Sequence, residues 1–366
     1  MAIVESLFDV SYLVIVIGLG IRLLLEKIKS ARMFGVMSLL LGFGDAFHLL
    51  PRIISHLSPS GFAGHAAALS WGQFVTSITM TLFYVLYYYY YRELSDDGRK
   101  SKTVIVYGLA AIRIVLVVLP QNRWGQMPGD YTFGILRNIP FMVLGICLII
   151  WSYRARRKAG LEQMWWLILL SFLFYIPVVL WSRKIPAIGA LMMPKTVAYL
   201  LIVVFGFHHF IRRFNTRSIL GISMTNLIMG LLAGVFYREF TKYYQFTDVT
   251  HLSAVHVHAL VLGFILPVLM YIFAKQISGD IDRRLRKSVY LFEAGLILTL
   301  VTMIVIGIYE ITSLGQDIIS RAAIDGISGI GHIILAVGIV WAMGELYHST
   351  HRVDIFMTGN ANRLSC

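Results

Sequence analysis

Charge is what this chain has little of. Asp, Glu, Lys and Arg make up 14% of its 366 residues, against about 25% in a soluble domain. That excludes a soluble enzyme built around a large core. Acid is scarcer than base: 19 Asp and Glu stand against 32 Lys and Arg, a formal charge of +13. Cysteine is nearly absent. Cys147 sits in an apolar run and Cys366 is the last residue, so no disulfide framework is available and the redox compartment is not legible. The opening MAIVESLFDV lacks a basic n-region, so a retained first helix is expected rather than a cleaved leader. Low-complexity linkers and clear internal repeats are also missing. The second absence weighs against a transporter, since many transporters show repeats.

What is present is apolar. Hydrophobic residues make up 58% of the chain and the mean hydropathy is +0.74. Eleven runs approach the ~20 residues that a helix needs to cross a bilayer: 8–26, 33–54, 70–91, 103–120, 134–153, 161–182, 196–214, 217–237, 252–274, 288–311 and 325–347. The runs are continuous and do not alternate, which favours helices over a barrel. The predicted fold is an all-α polytopic membrane bundle. The basic segment 208–218 divides it into a seven-helix domain, 1–215, and a four-helix domain, 216–350, followed by a cytoplasmic tail, 351–366.

The charges report orientation. The first connection, every second one after it and the C-terminal tail together hold 21 Lys and Arg, and the opposite side holds nine. The N-terminus is therefore expected outside and the C-terminus inside, in a cytoplasmic membrane. The positive balance then has an anionic leaflet as its partner, not nucleic acid. Six of the tryptophans fall near span ends, as interfacial anchors do. The run YVLYYYYYRE at 84–93 reads as an aromatic belt at the inner end of the third span. A homo-oligomer is left open.

Within LLLGFGDAFHLLPRI, residues 39–53, an apolar run holds Asp45, His48 and Arg52. At about 100° per residue these three share one helix face. Ions at membrane depth face a bundle interior or a wet cavity and pair with one another. The third span offers a matching polar stripe that includes Ser77, and the fourth contains Arg113. Asn122, Arg137 and Asn138 lie near helix ends on the same outer side. Together these eight residues are expected to line an outward-facing polar pocket, with Asp45 pairing Arg113 and His48 meeting Ser77. They equally suit packing contacts that fix helix register. A small molecule or a proton would be the ligand. A zinc hydrolase of the ceramidase and adiponectin-receptor kind is excluded, because His208 and His209 fall near the inner end of the seventh span, a different level from His48.

Histidines mark the last four spans. VFYREF at 235–240, HLSAVHVHALVLGF at 251–264 and GISGIGHIILAVG at 326–338 resemble a family of uncharacterised bacterial four-helix membrane proteins, over about the last third of the chain. A His-x-His followed by a Leu-Gly-Phe stretch is also similar to haem-bearing helices of haem–copper oxidase-like and nitric-oxide-response membrane proteins. That similarity implies haem. Read from the residues alone, four helices bring imidazoles, Arg238 and Glu239 to one outer level. Imidazole ligates zinc, copper, iron and haem iron. His256 and His332 are the expected ligand pair for haem or a transition metal ion, with His258, Glu239 and Arg238 in support. His256 and His258, about 200° apart, cannot share one site. A cofactor-free proton-coupled permease and an intramembrane hydrolase using His48 and Ser77 are the alternative functions.

Overall fold

Burying a backbone amide in lipid without a partner costs several kcal/mol, so a chain this apolar folds as helices. A computed structural model describes residues 2–211, 214–277, 283–312 and 321–364, with side chains over 3–211, 214–276, 283–312 and 324–349. The described residues are helices and their connections, with no strand. Eleven of the described helices are long and apolar enough to cross a membrane. The protein is an all-α, multi-pass membrane protein.

We number the spans α1 (Ala2–Leu24), α2 (Lys29–Leu57), α3 (Ala66–Ser95), α4 (Lys100–Val118), α5 (Asn138–Arg154), α6 (Met164–Trp181), α7 (Met192–Phe210), α8 (Thr216–Tyr244), α9 (His251–His258, Ala259–Ile265 and Leu266–Ile277), α10 (Arg283–Thr312) and α11 (Arg321–Leu364). The chain divides into two units. One, called the seven-helix unit below, comprises 15–56 and 60–212; the other, the four-helix unit, comprises 213–366 with 1–14 and 57–59, so the first half of α1 falls outside the expected domain 1–215. Helix α11 continues without a break to Leu364, so residues 351–364 of the expected tail are helical. Its side chains, and residues 365–366, lie outside those described.

In the seven-helix unit, α2 and α3 cross closely at Gly72. A Cβ there would run into the backbone carbonyl of Phe47, so only glycine fits. The crossing brings the His48 turn of α2 against α3.

The tyrosine run is core, which corrects the expected aromatic belt. Tyr84, Tyr87, Tyr88, Tyr90 and Tyr91 are all buried. Each hydroxyl finds a partner, as a buried phenol must. Tyr87 meets Ser152 of α5 at 2.8 Å and Tyr88 meets Thr103 of α4 at 2.8 Å. Tyr90 donates to the Gly160 carbonyl, and Tyr84 lies 3.2 Å from Ser171 of α6. Ser, Thr and a loop carbonyl on neighbouring elements make this inward packing affordable.

In the four-helix unit, a core of Leu252, Val255, Phe292, Leu296, Met303 and Leu335 joins α9, α10 and α11. Helix α9 is not uniform: Ala259–Ile265 is a π-helical turn. Such a turn spoils the regular i→i−4 ladder. Side chains of α8 meet its carbonyls: Ser223 donates to Phe264 at 2.9 Å and Asn226 to Gly263 at 3.1 Å. Asn226 also donates to Glu293 of α10, at 3.0 Å.

Candidate functional site

A cavity lies in the seven-helix unit, and the segment that closes α4 builds one wall of it. After Val118 the chain makes a short 3-10 turn, Pro120–Asn122. The last carbonyls of a helix have no partner within it. Here the Asn122 amide donates to Leu116, Val117 and Leu119 at 2.7, 3.2 and 2.9 Å. Trp124 adds an indole N–H to Val117 at 2.8 Å. Asn122 thereby turns its Oδ1 to Arg137, which donates at 2.8 Å. The Arg137 guanidinium also stacks 4.4 Å over Trp124. One residue along, Asn138 accepts from Tyr175 of α6 at 2.9 Å. Asp130 caps the short helix Tyr131–Leu136 through the Phe133 amide, and Ser70 of α3 accepts from Gly125 at 3.0 Å.

The space enclosed is about 330 Å³ and is lined by Asp45, His48, Ser77, Arg113, Asn122, Arg137 and Asn138, among others. Seven of the eight residues expected to share a pocket therefore line one cavity; Arg52 is not among its lining residues. The expected pairings inside it differ. Ser77 donates to its own helix at Gln73, 2.7 Å, and His48 Nδ1 is buried without a partner, so His48–Ser77 is not a pair. Arg113 is 2% exposed and lies 3.3 Å over the Phe141 ring. Its Nε and Nη1 have no partner, where an Asp45 carboxylate was expected to meet the guanidinium.

Sequence reading missed Lys195, Tyr175 and Tyr199. Lys195 is 9% exposed and its ammonium lies 5.0 and 5.5 Å from the Tyr175 and Tyr199 rings. The seventh apolar run spans 196–214, which puts Lys195 in the preceding connection. The helix starts at Met192, so Lys195 and Tyr199 sit one turn apart on one face. A lysine next to an apolar run, four residues before a tyrosine, was the available signal. The cavity thus holds four cations, Arg113, Arg137, Arg183 and Lys195, against Asp45 and Asp130. A buried guanidinium with unsatisfied N–H groups, at a cavity lined by further cations, is suited to an anion.

The four-helix unit arranges its histidines differently from expectation. His256 stacks on Tyr237 of α8, 6.1 Å between ring centres, and its Nδ1 is buried without a partner. It is His258 that approaches His332, with ring centres 6.3 Å apart and planes perpendicular. The ~200° between His256 and His258 sends them to different neighbours, and the π-helical turn begins only after His258. Arg238 and Glu239 are 79% and 59% exposed, 3.6 Å from one another, and converge on neither imidazole. His251 meets Glu310 of α10 at 2.7 Å. Among the described residues no three His, Cys, Asp or Glu side chains gather to hold a metal ion.

Comparison with known proteins touches parts of the chain. Residues 216–349 match a family described as a protein of unknown function (DUF2871). A phosphatidylglycerol–prolipoprotein diacylglyceryl transferase of Burkholderia multivorans is 28% identical over 81 residues, 22% of this chain and 27% of that protein. The enzyme of the same name from Paraburkholderia xenovorans is 26% identical over 112 residues, 31% of this chain and 32% of that protein. The chain thus spans a third or less of these relatives. No solved structure matches.

Proposed function

We propose that the seven-helix unit binds the phosphodiester headgroup of an anionic phospholipid in a cytoplasmic membrane and is the seat of a group transfer from it. The observation that carries this is the Arg113 guanidinium, a lining residue of a cavity that also holds Lys195 and Arg137, with Nε and Nη1 buried and without a partner. A volume of about 330 Å³ is at the small end for ligand pockets. It suits a glycerophosphate head with its acyl chains left in the bilayer. The resemblance to transferases named for phosphatidylglycerol supports the same ligand class.

The chemistry follows from the residues. An acceptor X–H attacks the glyceryl carbon that bears the phosphate oxygen; that C–O bond breaks and its electron pair leaves on the phosphate. Arg113, Arg137 and Lys195 stabilise the charge that develops there. His48, which lines the cavity, takes the acceptor's proton. The test is lipid binding by native mass spectrometry on the purified full chain. Phosphatidylglycerol should be retained over phosphatidylcholine, and Arg113→Ala or Lys195→Ala should abolish that preference. Equal retention of both lipids, or a preference indifferent to both substitutions, overturns the reading. Transfer is followed with chain-labelled phosphatidylglycerol and a prolipoprotein acceptor; His48→Ala should lose transfer and keep binding.

A second reading applies to the four-helix unit: a transition metal ion or haem iron held by imidazoles. The observation favouring it is the His258–His332 approach, with the ligand pair moved from His256 to His258. A proton-coupled permease draws support from no observation of comparable weight.

A further inference from the structure

The His258–His332 pair carries more than proximity, because the two rings are tied in the same way. His258 Nδ1 lies 2.9 Å from the carbonyl of Ala254, and His332 Nδ1 lies 2.9 Å from the carbonyl of Ser328. A carbonyl only accepts, so each Nδ1 bears the hydrogen and each Nε2 keeps its lone pair. No hydrogen bond from a described residue occupies either Nε2. Fixing one ring nitrogen on a backbone carbonyl while the other stays available is how metal-binding histidines are commonly held. Two helices of one unit do this with rings in contact range.

The spacing between the ring centres then bears on the coordination. A metal–nitrogen bond of about 2.0–2.1 Å puts a bound metal ~3.2 Å from the ring centre. Two imidazoles on opposite sides of one metal therefore have centres ~6.4 Å apart, and two at a tetrahedral angle ~5.2 Å apart. The observed 6.3 Å sits at the opposite-side limit. The surroundings agree: with no third His, Cys, Asp or Glu gathered there among the described residues, a tetrahedral zinc set is not assembled. Gly329, one turn before His332, has nothing within 4 Å of the position a Cβ would take, and His332 itself is exposed.

Resting on the reading of this pair as a metal site, we infer that His258 and His332 form a linear two-imidazole axis, whose metal is haem iron bound on both faces or two-coordinate Cu(I), and not zinc. The shared chemistry is a metal that accepts two opposed neutral nitrogens; the probes separate the two sources. The purified full chain is titrated with haemin, with Cu(I) under reductant and with Zn(II). The expected result is one equivalent of a single probe: haemin giving a low-spin six-coordinate spectrum, or Cu(I) giving an absorption edge with two nitrogen neighbours. Binding should weaken at least about tenfold in His258→Gln and in His332→Gln, and stay within twofold in His256→Gln. The melting temperature of each apo variant shows whether a loss reflects unfolding, and a double His258→Gln/His332→Gln variant that still folds keeps the test decisive. Tighter binding of Zn(II) through the same two residues overturns the axis and leaves the metal reading standing. Absence of binding by all three probes, or binding indifferent to both substitutions, overturns both.

Discussion

The residue whose environment decides most is Arg113. A guanidinium taken out of water costs several kcal/mol unless it is paired, and this one keeps two buried, unpartnered nitrogens against an aromatic face. If it waits for an anion, bound phosphatidylglycerol should raise the melting temperature of the wild type, and Arg113→Met should be less affected by lipid than wild type. Thermal unfolding in detergent with and without lipid checks this. A second residue-scale prediction concerns Asp97, between α3 and α4. Two hydrogen bonds from Arg99, at 2.9 Å, and one from Lys102, at 2.6 Å, hold its carboxyl well below the usual carboxylate range. A depressed carboxylate stabilises the fold fully above its unfolded value of about 3.9 and loses that contribution as pH falls through the folded value. Asp97→Asn should therefore lower stability by a constant amount from pH 5 upward, the gap closing only in strong acid. Arg99 is 66% exposed and Lys102 is 9% exposed, and exposed pairs contribute little. Lys102→Met should therefore cost more than Arg99→Met, although the arginine bonds hold the carboxyl down most.

At the scale of elements, α10 and α11 approach backbone to backbone. A Cβ on Gly295 would strike the Leu335 amide, and one on Gly338 would lie 2.5 Å from the Phe292 backbone. Backbone cannot rotate away as a side chain can. Gly338→Ala is expected to cost ~1–3 kcal/mol, the range for overpacking. Gly326→Ala and Gly329→Ala, with nothing within 4 Å, should stay within ~0.5 kcal/mol. Chemical denaturation of the three variants measures the difference. The same comparison shows what a sequence discloses about elements. Eleven spans were legible because hydropathy and length alone define them. Which histidine turned to which helix was not, because it depends on rotation about axes whose neighbours are distant in the chain. The glycines around His332 looked alike, yet Gly331 packs on Thr299 while Gly326 and Gly329 face open space. The cavity residues of α2 to α5 could be grouped by face and level. Lys195 could not, because a helix start displaced by four residues turned a wall residue into a loop charge.

At the scale of the whole molecule, the asymmetry of 21 against nine basic residues predicts an external N-terminus and a cytoplasmic C-terminus. Reporter fusions at each end check it: a C-terminal phosphatase should be silent and a C-terminal fluorescent protein bright. On that topology the cavity built from the outer ends of α2, α4 and α5 would lie beneath the external leaflet, the side from which the proposed lipid would enter. The buried tyrosines of α3 complicate a reading that assigns every aromatic to the membrane surface. Their phenols bind Ser, Thr and carbonyl partners on other elements, which specifies neighbours where apolar packing alone would not.

The π-helical turn of α9 has one consequence beyond local geometry. Ala259–Ile265 accommodates one residue more than an α-helix would use over the same rise. Deleting a single residue there, Val261 for instance, should relax the stretch to ordinary α-helix and leave Leu266–Ile277 on its present face. The same deletion in α10 would swing everything downstream by about 100°. Tolerance to shortening by one position should accordingly peak in this stretch, and a scan of single-residue deletions scored by folded yield would locate it as a maximum.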